Sequence, residues 1–124
     1  MYNDILDVVN RVKDIKAPEH WKEESGTQDP TDEVRLKTIK IIQEIYSKIE
    51  EYPLSISATI ESGTYVTYQR DGIFLSFEVY NIDSSVCILV GDKKLKKIIY
   101  CDEVKNSEID QALHVYEEES KKSI

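Results

Sequence analysis

Residues 53–80 read PLSISATIESGTYVTYQRDGIFLSFEVY, and the rest of the chain is best read outward from them. Leu54 to Ile60 alternates apolar and polar residues with period 2, as a strand with one buried face does. Glu61-Ser62-Gly63 reads as a turn, and Thr64 to Gln69 as a second strand. Asp71-Gly72 then stands between two β-rich runs, the strongest short signal for a two-residue hairpin loop. Ile73 to Tyr80 makes the third strand. A two-residue loop fixes the pairing: Arg70 faces Ile73, Tyr68 faces Leu75, Val66 faces Phe77 and Thr64 faces Val79. The face bearing Ile73, Leu75, Phe77 and Val79 is therefore expected to meet the core. The opposite face carries Tyr65, Thr67 and Gln69 against Glu78, Ser76 and Phe74, with Tyr80 beyond and Ser55, Ser57 and Thr59 on the first strand.

Downstream, Asn81 to Ser85 reads as a turn, Val86 to Val90 as a fourth strand, Gly91-Asp92-Lys93-Lys94 as a turn, and Leu95 to Cys101 as a fifth strand. Lysines suit that last strand to a sheet edge, where they deter pairing with other chains. A C-terminal helix is expected from about Glu108 to Lys121, with Ser107 and Asp110 as a capping pair and Ile109, Ala112, Leu113 and Tyr116 as its apolar stripe. Upstream of Pro53, the period is 3.6. Asn3 to Lys16 reads as an amphipathic helix with Asn3 as N-cap and Ile5, Leu6, Val9, Val12 and Ile15 on one face. Thr31 to Glu51 reads as a second helix. Its stripe of Val34, Ile41, Ile42, Ile45 and Ile49, widened by Leu36 and Ile39, is broader than a coiled-coil seam and suits packing on a sheet. Ala17 to Thr31 between them is a polar connector whose one large apolar residue, Trp21, is expected to pin it to the core. The expected architecture is α+β, a single domain over residues 1–124: two N-terminal helices, a five-stranded antiparallel β-meander and a C-terminal helix, with the helices on one face of the sheet.

The composition bounds the function. The chain has 124 residues, 24 Asp plus Glu against 16 Lys plus Arg, and a net charge of −8. A charge of that sign opposes binding to nucleic-acid backbones, which rests on Lys and Arg neutralising phosphates. No run approaches the roughly 18–20 apolar residues of a membrane span, and the N-terminus does not read as a secretory signal. The two cysteines are too few for a disulfide scaffold. Cys87 and Cys101 are expected to lie several residues out of register, as reduced, buried thiols in a cytoplasmic protein. His20 and His114 have no Cys or carboxylate at ligand spacing, so no metal or catalytic dyad is expected. The four glycines, Gly26, Gly63, Gly72 and Gly91, are scattered and form no phosphate loop. No catalytic residue, cofactor or metal ligand is assigned. Asp102-Glu103, Glu117-Glu118-Glu119 and Lys93-Lys94-Leu95-Lys96-Lys97 read as solvated charge runs.

One surface stands out. Tyr65, Phe74, Glu78 and Tyr80 share the outward sheet face. Hydroxyl and aromatic side chains favour strands in any case, so a merely solvated face has this composition. It is also the composition of a protein interface.

The order Trp21, Gly26, Pro30, a helix to Glu51, Pro53, Ser62-Gly63-Thr64-Tyr65, Tyr68 and Leu75-Ser76-Phe77-Glu78 resembles a widespread family of short bacterial proteins of uncharacterised activity, over about residues 18–81. That family usually has two glycines and a tryptophan where this chain has Gly63 and Tyr68. The resemblance implies a helix-then-meander layout and a bacterial or phage origin, and it implies no catalytic residue. The expected function is a non-enzymatic, acidic, cytoplasmic protein that binds another protein, one with a basic surface, as an antitoxin or immunity protein, an anti-defence inhibitor or an accessory subunit of a defence complex would. Like charges along its surface would steer association more than they tighten it. The alternative is a homo-oligomeric structural or small-ligand-binding module, with the outward face as its interface. An acidic secretion chaperone fits by charge and size, but five consecutive strands do not fit its alternation of helices and strands. No direct nucleic-acid or membrane partner is expected.

Overall fold

A computed structural model of the chain describes residues 4–83, 85–104 and 109–122. It is an α+β fold: α1 (Ile5–Lys13), α2 (Glu19–Ser25), α3 (Asp32–Ile49), β1 (Ser55–Ala58), β2 (Thr64–Arg70), β3 (Ile73–Val79), β4 (Val86–Asp92), β5 (Lys97–Val104) and α4 (Asp110–Lys122). The strands form one sheet in the order β1-β2-β3-β4-β5, every neighbouring pair antiparallel.

The β2–β3 hairpin has the expected register, from Arg70↔Ile73 to Thr64↔Val79. Asp71 and Gly72 both take positive φ, 51° and 84°. Only such a turn matches the right-handed twist of the flanking strands, and Asp-Gly tolerates it. Ile56, Val66, Tyr68, Ile73, Leu75, Phe77, Val79, Val86, Ile88 and Val90 alternate along the strands and are buried. They form one cluster with Val8, Val12 and Ile15, with Val34, Ile39, Ile41, Ile42 and Ile45 of α3, and with Ile109, Ala112, Leu113 and Tyr116.

Buried polar links tie the layers together. Thr38 of α3 and Thr64 of β2 join hydroxyls at 2.7 Å, both fully buried. The Arg35 guanidinium reaches back from α3 to carbonyls at the end of α1, donating to Ile15 O at 2.8 Å and to Lys13 O. It thus satisfies acceptors that a helix C-terminus leaves open. Glu51 accepts from Arg70 Nε at 2.6 Å and from the Tyr116 hydroxyl at 3.0 Å, joining the end of α3 to β2 and α4. The Arg70 guanidinium also lies 5.2 Å from the centre of the Tyr116 ring.

Both edges of the sheet are guarded. β1 is only four residues long, and Arg11 of α1 donates to its Ile56 carbonyl at 2.8 Å. β5 carries a bulge, where Val90 pairs with Tyr100 but Gly91 with Ile98, leaving Ile99 extra. Short strands and bulges are devices against edge-to-edge pairing.

Several expectations need correction. Three helices precede the sheet, not two. The extra one, α2, lies in the presumed connector, and its seven residues EHWKEES bury no side chain, so no apolar periodicity could announce it. It ends at Gly26, whose φ of 69° is a left-handed helix stop. Trp21 is half-buried against His20 and is not part of the core cluster. Polar contacts anchor the segment instead: Asp29 accepts from Ala17 N at 2.8 Å and pairs with Lys22 at 3.2 Å, and the Thr27 hydroxyl donates to Ile60 O at 2.7 Å. These bonds to Asp29, first from the Ala17 amide and then from Lys22, hold its carboxyl below the usual carboxylate range.

The cap of α1 is Asp4, which accepts from Asp7 N at 2.9 Å; Asn3 lies outside the described residues, as does Ser107 of the expected α4 capping pair. Leu6 and Leu36, assigned to apolar stripes, are exposed at 63% and 59%. Each lies one position off the face that its helix turns to the core.

Candidate protein-interaction surface

The outward face of the sheet is a lattice of cross-strand rows. One row runs Ser57–Tyr65–Glu78–Cys87–Glu103, the next Ser55–Thr67–Ser76–Leu89–Cys101, and the third Gln69–Phe74–Gly91–Ile98. The sheet therefore brings three of the four expected site residues together. Tyr65 and Glu78 are register partners, and Tyr80 follows just beyond the end of β3, where its N–H donates to Ser85 O at 2.9 Å. Phe74 is four residues from Glu78 along β3, a separation of about 13 Å, and stands at the other end of the face.

At the first end the acidic and hydroxyl groups share a partly dehydrated neighbourhood. Burial pushes the Glu78 carboxyl above the usual carboxylate range, and Glu61, in the β1–β2 turn, adds repulsion. Burial likewise pushes the Tyr80 hydroxyl up to about 12, with Glu78, Cys87 and Glu61 adding to it. Burial also raises the Cys87 thiol, and the neighbouring Cys101 sulfur raises it further. Each shift favours the protonated form.

The two cysteines correct the sequence expectation. The β4–β5 turn is Lys93 to Lys96, two residues later than expected. It is held by Asp92, whose carboxylate accepts from Lys94 N at 2.9 Å and Leu95 N at 3.1 Å. Gly91 and Asp92 thereby join β4, and Cys101 falls opposite Leu89. Cys87 and Cys101 are diagonal neighbours on one face and both free thiols, Cys87 half-buried and Cys101 exposed rather than buried. Limited alkylation at pH 8 is expected to modify Cys101 well before Cys87, read by peptide mass spectrometry. Equal rates would show that Cys87 is not shielded.

At the other end, the Phe74 ring lies across Gly91, where a Cβ would sit 2.4 Å from the ring. Only glycine lets the ring lie flat on the next strand. Phe74, Ile98, Asp92, Lys93, Lys96 and Lys97 line a shallow cleft of about 260 Å³. Lys93 also donates to Gln69 of the third row at 3.4 Å, which fixes its reach onto this face. Ile98 is 63% exposed. The lysine run was visible in the sequence as a charge cluster. That it frames Phe74 and Ile98 was not, because this depends on the length of the β4–β5 turn.

The remaining candidates lie elsewhere. His20 on α2 and His114 on α4 are exposed, and Glu118 and Glu119 pair with Lys121 and Lys122 along α4. Among the described residues no group of three or more His, Cys, Asp or Glu is placed to hold a metal ion, and no helix is long and apolar enough to cross a membrane. Comparison of the chain with protein-family models, with curated proteins and with solved structures finds no match.

Proposed function

We propose that this chain is a small, acidic, non-enzymatic protein that acts by binding another protein through the outward face of its sheet. The observation that carries the reading is the cluster of Tyr65, Glu78 and Tyr80 on one end of that face, with Glu61 beside it. Rigid aromatic side chains with polar tips contribute much of the energy of protein interfaces. The surrounding acids, within a net charge of −8, favour a partner with a basic surface and speed its approach. An antitoxin or immunity protein, an anti-defence inhibitor and an accessory subunit of a defence complex all work in this way. The resemblance to short bacterial proteins agrees with such a role in the cytoplasm of a bacterium or with a phage source.

The test is affinity capture of partners from a lysate of the cells that encode the chain, with wild type and Tyr65→Asp compared by mass spectrometry. Wild type is expected to retain a stoichiometric protein with a basic surface, and Tyr65→Asp to lose it at least tenfold. If no stoichiometric partner is recovered, or if the variant retains it equally, the reading fails. A second reading, a homo-oligomeric or small-ligand-binding module, is favoured by the cleft beside Phe74 and Ile98.

A further inference from the structure

The two ends of the outward face carry opposite charges. Glu61, Glu78 and Glu103 mark the end near the β1–β2 turn, and Lys93 and Lys96 mark the end at the β4–β5 turn. Among the described residues, none of these five side chains forms an ion pair with another residue. Between the ends lie half-buried Leu89 and Thr67 and the small, buried Ser76. Such a surface complements itself. A two-fold axis lying in the interface and running across the strands reverses the strand direction, so the acidic end of one copy meets the lysine end of the other.

On this basis we infer that a second copy of this chain docks face to face on the outward sheet surface, acidic end against lysine end. The inference rests on the reading that this face is a docking surface, and it names the occupant. The basic surface that the acidic end calls for is, in a second copy, its lysine end, and the acidic end of that copy meets Lys93 and Lys96 at the same time. Arg11 on β1 and the bulge in β5 disfavour pairing along the sheet edges.

Five strands of up to eight residues give a face of about 24 by 24 Å, or roughly 600 Å². That is below the ~800 Å² per partner of a standard stable interface. The dimer is accordingly weak and reversible. Its salt dependence follows from screening. At 0.15 M salt the Debye length of about 8 Å damps repulsion between the two net-negative bodies but leaves the close ion pairs effective. At 1 M, where it is about 3 Å, those pairs weaken as well.

The experiment is sedimentation velocity on the full chain from about 1 to about 500 µM at ~0.15 M salt. Wild type is expected to pass reversibly to twice the 14.4 kDa mass of one chain. Lys93→Glu/Lys96→Glu, which makes both ends acidic, and Glu61→Lys/Glu103→Lys, which makes the acidic end basic, are each expected to weaken self-association at least tenfold. An equimolar mixture of the two variants is expected to associate at least as tightly as wild type. All four substituted positions are exposed, and circular dichroism checks that each variant is folded. Should Glu61→Lys/Glu103→Lys not fold, Glu103→Lys alone replaces it. A wild type that stays monomeric throughout the range overturns the inference. So does a wild-type dimer that survives both charge reversals, or variants that fail to associate when mixed. A monomeric wild type whose captured partner is still lost in Tyr65→Asp overturns self-pairing alone and leaves the face as a docking surface for another protein.

Discussion

Truncating Phe77 to alanine is expected to lower the stability of the chain by about 3–5 kcal/mol. Phe77 is 1% exposed on the middle strand of five, and its register partners are Val66 on β2 and Ile88 on β4, both buried. It belongs to the cluster that also holds Ile41, Ile42 and Ile45 of α3 and Leu113 of α4. Loss of the ring removes apolar area from the core and leaves a cavity that a sheet bounded on both sides cannot close by a small shift. Against the ~5–15 kcal/mol that separates most folded domains from their unfolded states, this is a large fraction. Urea titration followed by far-ultraviolet circular dichroism measures it as a fall in the midpoint. Leu36→Ala, at an exposed position of α3, is the control and is expected to change stability by no more than about 0.5 kcal/mol. A loss below about 1 kcal/mol for Phe77→Ala would show that this residue does not lie at the centre of the core.

The second large effect is alkaline unfolding. Tyr68 and Tyr116 are fully buried. Burial pushes both hydroxyls well above the ordinary value of 10.0, and in each case the Glu51 carboxylate adds to the shift. Between pH 10 and the raised folded values, the unfolded chain loses these protons and the folded chain keeps them. The stability tied to the neutral tyrosines is therefore complete below pH 10 and falls as pH rises above it. Each buried tyrosine contributes a slope of up to about 1.4 kcal/mol per pH unit, so the pair removes roughly 2.7 kcal/mol per unit. Urea midpoints measured from pH 9 to pH 12, with phenolate absorbance followed in parallel, test this.

Ionisation of the two buried rings is expected to coincide with unfolding. Tyr68→Phe/Tyr116→Phe should flatten the alkaline slope. At neutral pH the two substitutions separate. The Tyr68 hydroxyl is buried without a hydrogen-bond partner among the described residues, so Tyr68→Phe is neutral or stabilising. Tyr116→Phe forfeits the bond to Glu51 and costs about 1 kcal/mol. An unchanged alkaline slope in the double variant would assign alkaline unfolding to other groups.

The route from residues to architecture was shortest where one local rule governed. Asp71-Gly72 imposed a turn, the turn imposed a register, and the register separated Phe77 from Glu78 into opposite faces. Period 3.6 likewise located α1, α3 and α4, since each has a face to bury. The same logic had no purchase on α2. A seven-residue helix with no fully buried side chain has little reason to be amphipathic, and its residues EHWKEES owe their conformation to the Gly26 stop and to the polar contacts around Asp29. Leu6 and Leu36 failed for a related reason. Periodicity defines a stripe, but its width depends on how closely a neighbouring element approaches.

For the candidate surface, the division between sequence and structure falls at the β4–β5 turn. That Tyr65, Glu78 and Tyr80 share a face followed from the period of 2 and one hairpin, because side-chain direction in a strand is fixed by parity alone. The placement of Cys101 beside Cys87, and of Lys93, Lys96, Lys97 and Ile98 around Phe74, depended on a four-residue turn closed by Asp92 and on the bulge at Ile99. Both are chosen by side-chain hydrogen bonds and by packing of β5 against the core, and a one-residue change in either would turn the strand over. The amino-acid sequence thus determined an acidic α+β chain with an aromatic, polar outward face. Tertiary structure alone decided that this face carries opposite charges at its two ends, because charge polarity across a sheet depends on register between strands, which no single strand contains.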